Sequence, residues 1–323
     1  MTDLFDVLIE NTYSVERKRS STAFNFTNIA IDKLPTAWMG SLVNSIIYFV
    51  TMDNSISNSR SHIQAHYDLS NDLFRTFLDH ETMMYSCALF EERYNPLTKK
   101  LELFGSLADA QERKIHALLS RLRLTKSSCL LDIGFGWGGI AIAAASTYGC
   151  KVHGITLSEQ QKCLAEERVR AKGLQDLITF EIVDYRVFAR SGRTFDRIVS
   201  CEMIEAVGHK YLPSFFDAID RLLSLDGIFV MQAITMPDSR YPLYKKSADF
   251  LNTVIFPGDL YITQPSFLKL CTVTSFLFSC KGGCCPSLGS LISAMASESS
   301  LFLDSAKNIN LHYAHTLKVI CFL

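Results

Sequence analysis

The sequence predicts an α/β protein with a mostly parallel sheet and helices on both of its faces. Three observations predict it. Short apolar runs of strand type alternate with helical stretches from Cys129 to Gln232. A glycine-rich turn, Leu131-Asp-Ile-Gly-Phe-Gly-Trp-Gly-Gly139, follows the first of those runs. With 48% hydrophobic and 20% charged residues over 323 positions, the composition allows a large buried core.

In chain order, residues 1–60 read as mostly helical, with polar Asp53–Ser61 as a loop. Residues 62–125 read as helical again. Leu103, Leu107, Ile115, Leu118, Leu119 and Leu122 recur there at helical spacing with charges between them. Region 1–125 is therefore expected to be a helical N-terminal region. Cys129–Ile133 is a buried-type strand, and Ile140–Tyr148 a small apolar helix. Lys151–Thr156 is the second strand, and Ser158 caps the helix after it. Ile178–Val183, Phe195–Cys201 and Gly227–Ile234 are the third, fourth and fifth strands. In such a sheet, ligands bind at the carboxyl ends of the strands.

Composition excludes some partners. Lys and Arg (32) nearly cancel Asp and Glu (33), so bulk charge does not indicate nucleic acid. The 10 cysteines lack framework spacing, and Met1–Glu10 is unlike a secretory leader. They read as reduced thiols of a cytosolic compartment. Cys284-Cys285 lacks the partners of a zinc site, so no metal is expected. No run reaches the roughly 18 apolar residues of a membrane-spanning helix. Trp38–Val50 and Phe267–Cys280 come part of the way. Burial is the first reading of each, and contact with a membrane surface the second.

The glycine turn must hold a ligand that approaches the backbone closely. Gly134, Gly136 and Gly139 satisfy the dinucleotide pattern GxGxxG. Three features favour S-adenosylmethionine instead. Asp132 stands two residues before the first glycine, where enzymes using that cofactor commonly carry an acid. Gly138 adds a GxGxG pattern. The second strand ends in Thr156-Leu-Ser158, with no carboxylate for a ribose.

Several blocks together resemble the cyclopropane-fatty-acyl-phospholipid synthase family, which includes the mycolic acid methyltransferases. They are His66-Tyr-Asp-Leu-Ser-Asn-Asp72, Met84-Tyr-Ser-Cys-Ala88, the glycine turn, Gly154-Ile-Thr-Leu-Ser-Glu-Gln160, Asp184-Tyr-Arg186 and Glu202-Met-Ile-Glu-Ala-Val-Gly-His209. Phe256-Pro-Gly258 and Pro286-Ser-Leu288 fit as well. The wording is closest to plant-type members.

The resemblance implies a Rossmann-like S-adenosylmethionine-dependent methyltransferase fold under a helical N-terminal lid. It implies methylene transfer to a cis double bond of phospholipid acyl chains at a membrane surface, with bound bicarbonate as base. Localisation is then cytoplasmic, with peripheral membrane contact. Carried over by position, Cys87, Glu205 and Gln232 hold the bicarbonate. Gln232 stands where the bacterial pattern has histidine; an amide positions but carries no proton. Tyr85 and Ser86 close over the cofactor. Asp132, Gly134, Gly136, Trp137 and Gly138 hold its methionine end. Thr156, Leu157, Ser158, Gln160 and Gln161 face the ribose, and Tyr185 and Arg186 the adenine. Glu202 is a further carboxylate with two readings, one of them lining the methionine end. His209 braces its loop.

The implied division is 1–125 as lid, 126–258 as cofactor-binding core, 259–282 as an anomalous insert and 283–323 as an incomplete C-terminal part. Removing 259–282 restores Ile-Phe-Pro-Gly-Gly-Cys-Cys-Pro-Ser-Leu, so that stretch is read as a retained intron. A family tyrosine of the bicarbonate site and the sheet's final strand are expected to be missing, which predicts cofactor binding without appreciable turnover. The alternatives are an N-methyltransferase acting on a small amine and a non-catalytic cofactor-binding fragment.

Overall fold

The structure is a computed structural model and describes residues 55, 56, 59, 71–244 and 284–322. All of them belong to one compact unit, Tyr48–Leu323. The readings of Trp38–Val50, His66–Ser70, Phe256–Gly258 and 259–282 lie outside the described residues. Where a loop was expected, Ser59 N–H donates to Ser55 O at 2.9 Å, a helical bond. Tertiary anchoring explains the difference. Ser59 Oγ is buried against Asp184 Oδ2 at 3.2 Å and accepts from Arg186 Nη2 at 3.0 Å.

Region 71–125 is not helical throughout. Helix α1 (Asn71–Arg75) is short, and strands β1 (Glu91–Asn95) and β2 (Lys100–Phe104) form an antiparallel hairpin before helix α2 (Leu107–Arg121). The turn chemistry outweighs the leucine spacing. Asn95 Oδ1 accepts from the N–H groups of Leu97 (2.9 Å) and Thr98 (3.3 Å), and Lys99 takes a φ of 54°. Ser106 then starts α2 with a reciprocal capping box to Asp109. Leu107, Ala110, Gln111, Lys114, Ile115, Leu118 and Leu119 form its buried stripe.

The central sheet follows the expected alternation. Its elements are β3 (Cys129–Ile133), α3 (Gly139–Tyr148), β4 (Lys151–Thr156), α4 (Glu159–Ala171), β5 (Ile178–Ile182), α5 (Tyr185–Phe188), β6 (Phe195–Cys201), α6 (Leu212–Leu222) and β7 (Leu223–Gln232). The five strands pair in the order β5-β4-β3-β6-β7, all parallel. Ser158 caps α4 by accepting from Gln161 N–H. β7 begins earlier than expected, because Leu223 pairs with Phe195 across an irregularity in the ladder.

Both faces are buried, as a parallel sheet requires. Leu130, Val152, Val199 and Val230 meet Leu119, Leu122, Ile140, Ala144 and Ala165 on one face. Leu131, Ile133, Ile155 and Ile198 meet Phe215, Phe216, Ile219 and Leu222 on the other. Alternate residues of one strand thus feed opposite cores.

Helices α7 (Tyr241–Tyr244), α8 (Leu288–Glu298) and α9 (Asn310–Phe322) complete the described chain. Among the described residues the sheet ends at β7, and Leu301–Asp304 forms no strand. Helix α9 is pinned to the segment before β1. Thr316 Oγ1 accepts from Ala88 N–H at 3.0 Å, and His312 Nδ1 accepts from Phe90 N–H at 3.1 Å.

Gly154 on β4 tests the packing of the first face. A Cβ there would lie 2.6 Å from Phe180 Cδ1 and 2.7 Å from Phe135 Cδ1, and those two rings stack at 4.1 Å. Gly154→Val should destabilise the protein by about 1–3 kcal/mol, read from urea unfolding.

Candidate active site

The strand order reverses between β3 and β6, and the loops after these two strands meet there. After β3, Gly134, Gly136 and Gly138 have φ of 78°, 56° and 82°, a region open at low cost only to glycine. A Cβ on Gly134 would lie 2.9 Å from Met203 Cγ, so the two loops are packed together. A Cβ on Gly136 would meet nothing within 4 Å. That glycine therefore faces open space at the head of α3. On Gly139 a Cβ would strike Thr82 O at 2.5 Å, so the missing side chain lets the preceding segment lie on α3.

That segment is tied to the glycine turn and to α4. Asn71 Oδ1 accepts from Trp137 Nε1 at 2.8 Å, and Asn71 Nδ2 donates to Gln160 O at 3.2 Å. Trp137 packs on Phe74 at 4.7 Å between ring centres, and Phe74 on Tyr85 at 5.5 Å. Arg168 of α4 donates to Trp137 O and Thr82 O. Trp137 thus braces lid and turn together.

Other expected cofactor residues are distributed unequally. Asp132 is fully buried, and neither carboxylate oxygen has a hydrogen-bond partner. Burial pushes its carboxyl up to about 7, against the pull of Lys114. Thr156, Ser158 and Gln161 are buried and bonded to one another. They shape the end of β4, leaving half-buried Leu157 and exposed Gln160 accessible. Tyr185, expected beside the adenine, packs against Phe215 in the core. Arg186 folds back on Asp184, Nη2 to Oδ2 at 2.7 Å.

The second half of the site gathers behind β6. Glu202 has a φ of 49°, unusual for a residue with a side chain. Its Oε1 accepts from Cys87 N–H at 2.9 Å and from Gln232 Nε2 at 2.8 Å. Gln232 Nε2 also donates to Cys87 O at 3.0 Å. Both backbone groups of Cys87 are therefore engaged by Glu202 and Gln232. Burial, then Glu202, pushes the Cys87 thiol up to about 12. Glu205 Oε1 accepts from Ile234 N–H, while buried Oε2 has no partner. Burial first, then the Glu202 charge, pushes Glu205 up to about 8. His209 bonds Tyr241 Oη at 2.6 Å and braces its loop.

Two residues here escaped sequence reasoning. Lys114 is 2% exposed and donates to Ser86 Oγ at 2.7 Å, 3.6 Å from Cys201 Sγ. Its place on the apolar stripe of α2, between Ala110 and Leu118, was the available signal. Tyr313 of α9 is half-buried, and desolvation, then the charges of Glu202, Cys285, Glu205 and Tyr85, hold its phenol well above the usual range. Its neighbours His312 and Thr316, polar and at helical spacing on α9, were the available signal.

Asp132 and Glu205 titrate near 4 in an unfolded chain and higher in the fold. Between about pH 4 and pH 8 the fold holds protons that the unfolded chain releases. Their contribution to stability is complete below that window and is lost as pH rises through it. Urea midpoints should fall from about pH 5 to about pH 8, and less steeply in Glu205→Gln.

Comparison with known proteins places this geometry. The profile of the family described as mycolic acid cyclopropane synthetase matches residues 54–279. A tuberculostearic acid methyltransferase of Mycobacterium tuberculosis is 36% identical over 267 residues, 83% of this chain and 55% of that protein. The cyclopropane-fatty-acyl-phospholipid synthase of Escherichia coli is 40% identical over 169 residues, 52% of this chain and 39% of that protein. The chain thus spans about half the length, or less, of these relatives. A solved mycolic acid cyclopropane synthase, complexed with SAH and CTAB, superposes with a TM-score of 0.60 at 28% identity. That match covers 80% of this chain and 81% of the other. The chain belongs to the mycolic acid cyclopropane synthetase family, a methyltransferase family with a Rossmann-like fold.

Proposed function

We propose that the chain is an S-adenosylmethionine-dependent methyltransferase that adds a methylene across a cis double bond of a phospholipid acyl chain. The observation that carries this reading is Glu205, a buried carboxylate with one unengaged oxygen, set behind a glycine turn that opens at Gly136. The relatives support the acyl acceptor: one is named for a fatty acid and another for fatty-acyl phospholipids. The similar synthase solved with SAH supports the cofactor.

The residues present fit both groups. Open Gly136, at the positive end of α3, suits the methionine end of the cofactor. Glu205 Oε2 offers the partner that a bicarbonate hydroxyl needs. When bound, the cofactor supplies an electrophilic methyl on a sulfonium and bicarbonate supplies a proton acceptor.

The chain's own groups then have separable tasks. Glu202, bonded by two donors, stands where a cation develops, and Glu205, which holds a proton up to about 8, shifts toward its charged form when a cation arrives beside it. Gln232 locks Glu202 to Cys87 and carries no proton. The Cys87 thiol stays protonated at neutral pH, so no thiolate competes for the methyl. The Tyr313 phenol keeps its proton at neutral pH, held there by desolvation and by the nearby carboxylates. Phe74, Trp137 and Tyr85 exclude water above the turn.

Isothermal titration with S-adenosylhomocysteine tests the cofactor half. Gly136→Leu should weaken binding by roughly 100-fold while the protein stays folded. Binding equal to wild type would remove the glycine turn from the site. Mass spectrometry of acyl chains from an expressing bacterium tests the acceptor half. Chains one methylene heavier should appear, and Glu205→Gln and Tyr313→Phe should each lower them by about 100-fold. Cofactor binding with unaltered acyl chains would turn the reading toward the amine acceptor.

A further inference from the structure

The outer part of one face of the β1–β2 hairpin is apolar, beyond a single carboxylate near its base. Tyr94 pairs with Leu101, and Glu92 with Leu103, so these four side chains share that face. At its base, Leu103 packs on the cluster of Ala88, Phe90, Leu107, Ala110 and Ile320. Further out, Tyr94 is 62% exposed and Leu101 49%, and Leu97 in the turn is 92% exposed. The face therefore continues into solvent instead of ending in polar residues.

The hairpin's charges are sorted along its length. Its carboxylates are engaged: Glu91 by Arg93 at 2.9 Å, Glu92 by His312 at 2.9 Å, and Glu102 by Asn95 at 2.6 Å. Lys99 and Lys100, exposed beside Leu97, have no ion-pair partner among the described residues. An apolar tip with uncommitted cations matches the chemistry of an anionic lipid interface. A protein partner fits less well, since a stable interface needs roughly 800 Å² on each side and three side chains offer only a fraction of that. Among the described residues no helix is long and apolar enough to cross a membrane, so any contact here is with the surface.

We propose that Tyr94, Leu97 and Leu101 enter the headgroup zone of an anionic phospholipid bilayer, with Lys99 and Lys100 on its phosphates. The proposal rests on the acyl-chain reading above for its purpose. Strand β1 starts directly after Cys87–Phe90, so tip insertion brings that wall of the site to the surface that holds acyl chains.

Co-sedimentation of the full chain with phosphatidylglycerol–phosphatidylcholine vesicles, against phosphatidylcholine alone, tests it. Wild type should prefer the anionic vesicles, and added salt should weaken that preference. The triple variant Leu97→Asp, Lys99→Glu, Lys100→Glu should partition at least about tenfold less, with thermal unfolding unchanged because all three side chains are exposed. Equal binding by the variant, or no wild-type preference for anionic vesicles, overturns the proposal. Loss of vesicle binding in the variant, with no acyl product from wild type, leaves the hairpin's role standing and removes the acyl reading alone.

Discussion

The bonding of half-buried Glu202, the residue after β6, is the constraint on which the site depends. A carboxylate out of water must be bonded or neutralised. Here two donors do it, Cys87 N–H and Gln232 Nε2, and they come from distant parts of the chain. The segment before β1, the end of β6 and the end of β7 are thereby held at one point. The left-handed backbone at Glu202 persists because these bonds over-determine it. Lys114 adds a buried positive charge nearby and anchors Ser86, next to Cys87. Taking away one donor leaves a charge in the interior with its solvation lost, which is far costlier than losing a surface pair.

Helix α9 closes the same assembly from another side. Ala88 and Phe90 donate their N–H groups to Thr316 and His312, and His312 reaches on to Glu92. Residues Ser86 to Phe90 are thus held by α2, by the sheet ends and by α9 together. Tyr313 arrives at the carboxylates through this docking. The lid over the cofactor side is built differently. Aromatic stacking on Trp137 and the Asn71 bridge hold it, both directed at the glycine turn.

Much of this was legible in the sequence for physical reasons. Buried parallel strands must be apolar on both faces, so Cys129–Ile133 and Phe195–Cys201 stood out. Ser158 announced its helix because a cap needs a short acceptor. The hairpin was hidden because Leu101 and Leu103 fall into helical spacing with Leu107, and only Asn95-Pro96 betrays a turn. The Asp184-Tyr-Arg186 block does not say which way the Tyr185 ring points, and the fold packs it on Phe215. Lys114 and Tyr313 act across long sequence separations. Their local surroundings read as ordinary helix, and only the fold brings them to Glu202 and Glu205.

In the proposed site, one crevice joins a cofactor half, at Gly136, to a carboxylate half, at Glu205. A crystal structure of the chain grown with S-adenosylhomocysteine and bicarbonate would show whether it does. The cofactor's amino-acid end is expected on the Gly134–Gly138 turn, with its sulfur facing the Glu205 side and a small planar anion bonded to Glu205 Oε2. Cofactor bound elsewhere, or a Glu205 oxygen sealed off from the crevice by protein atoms, would contradict it.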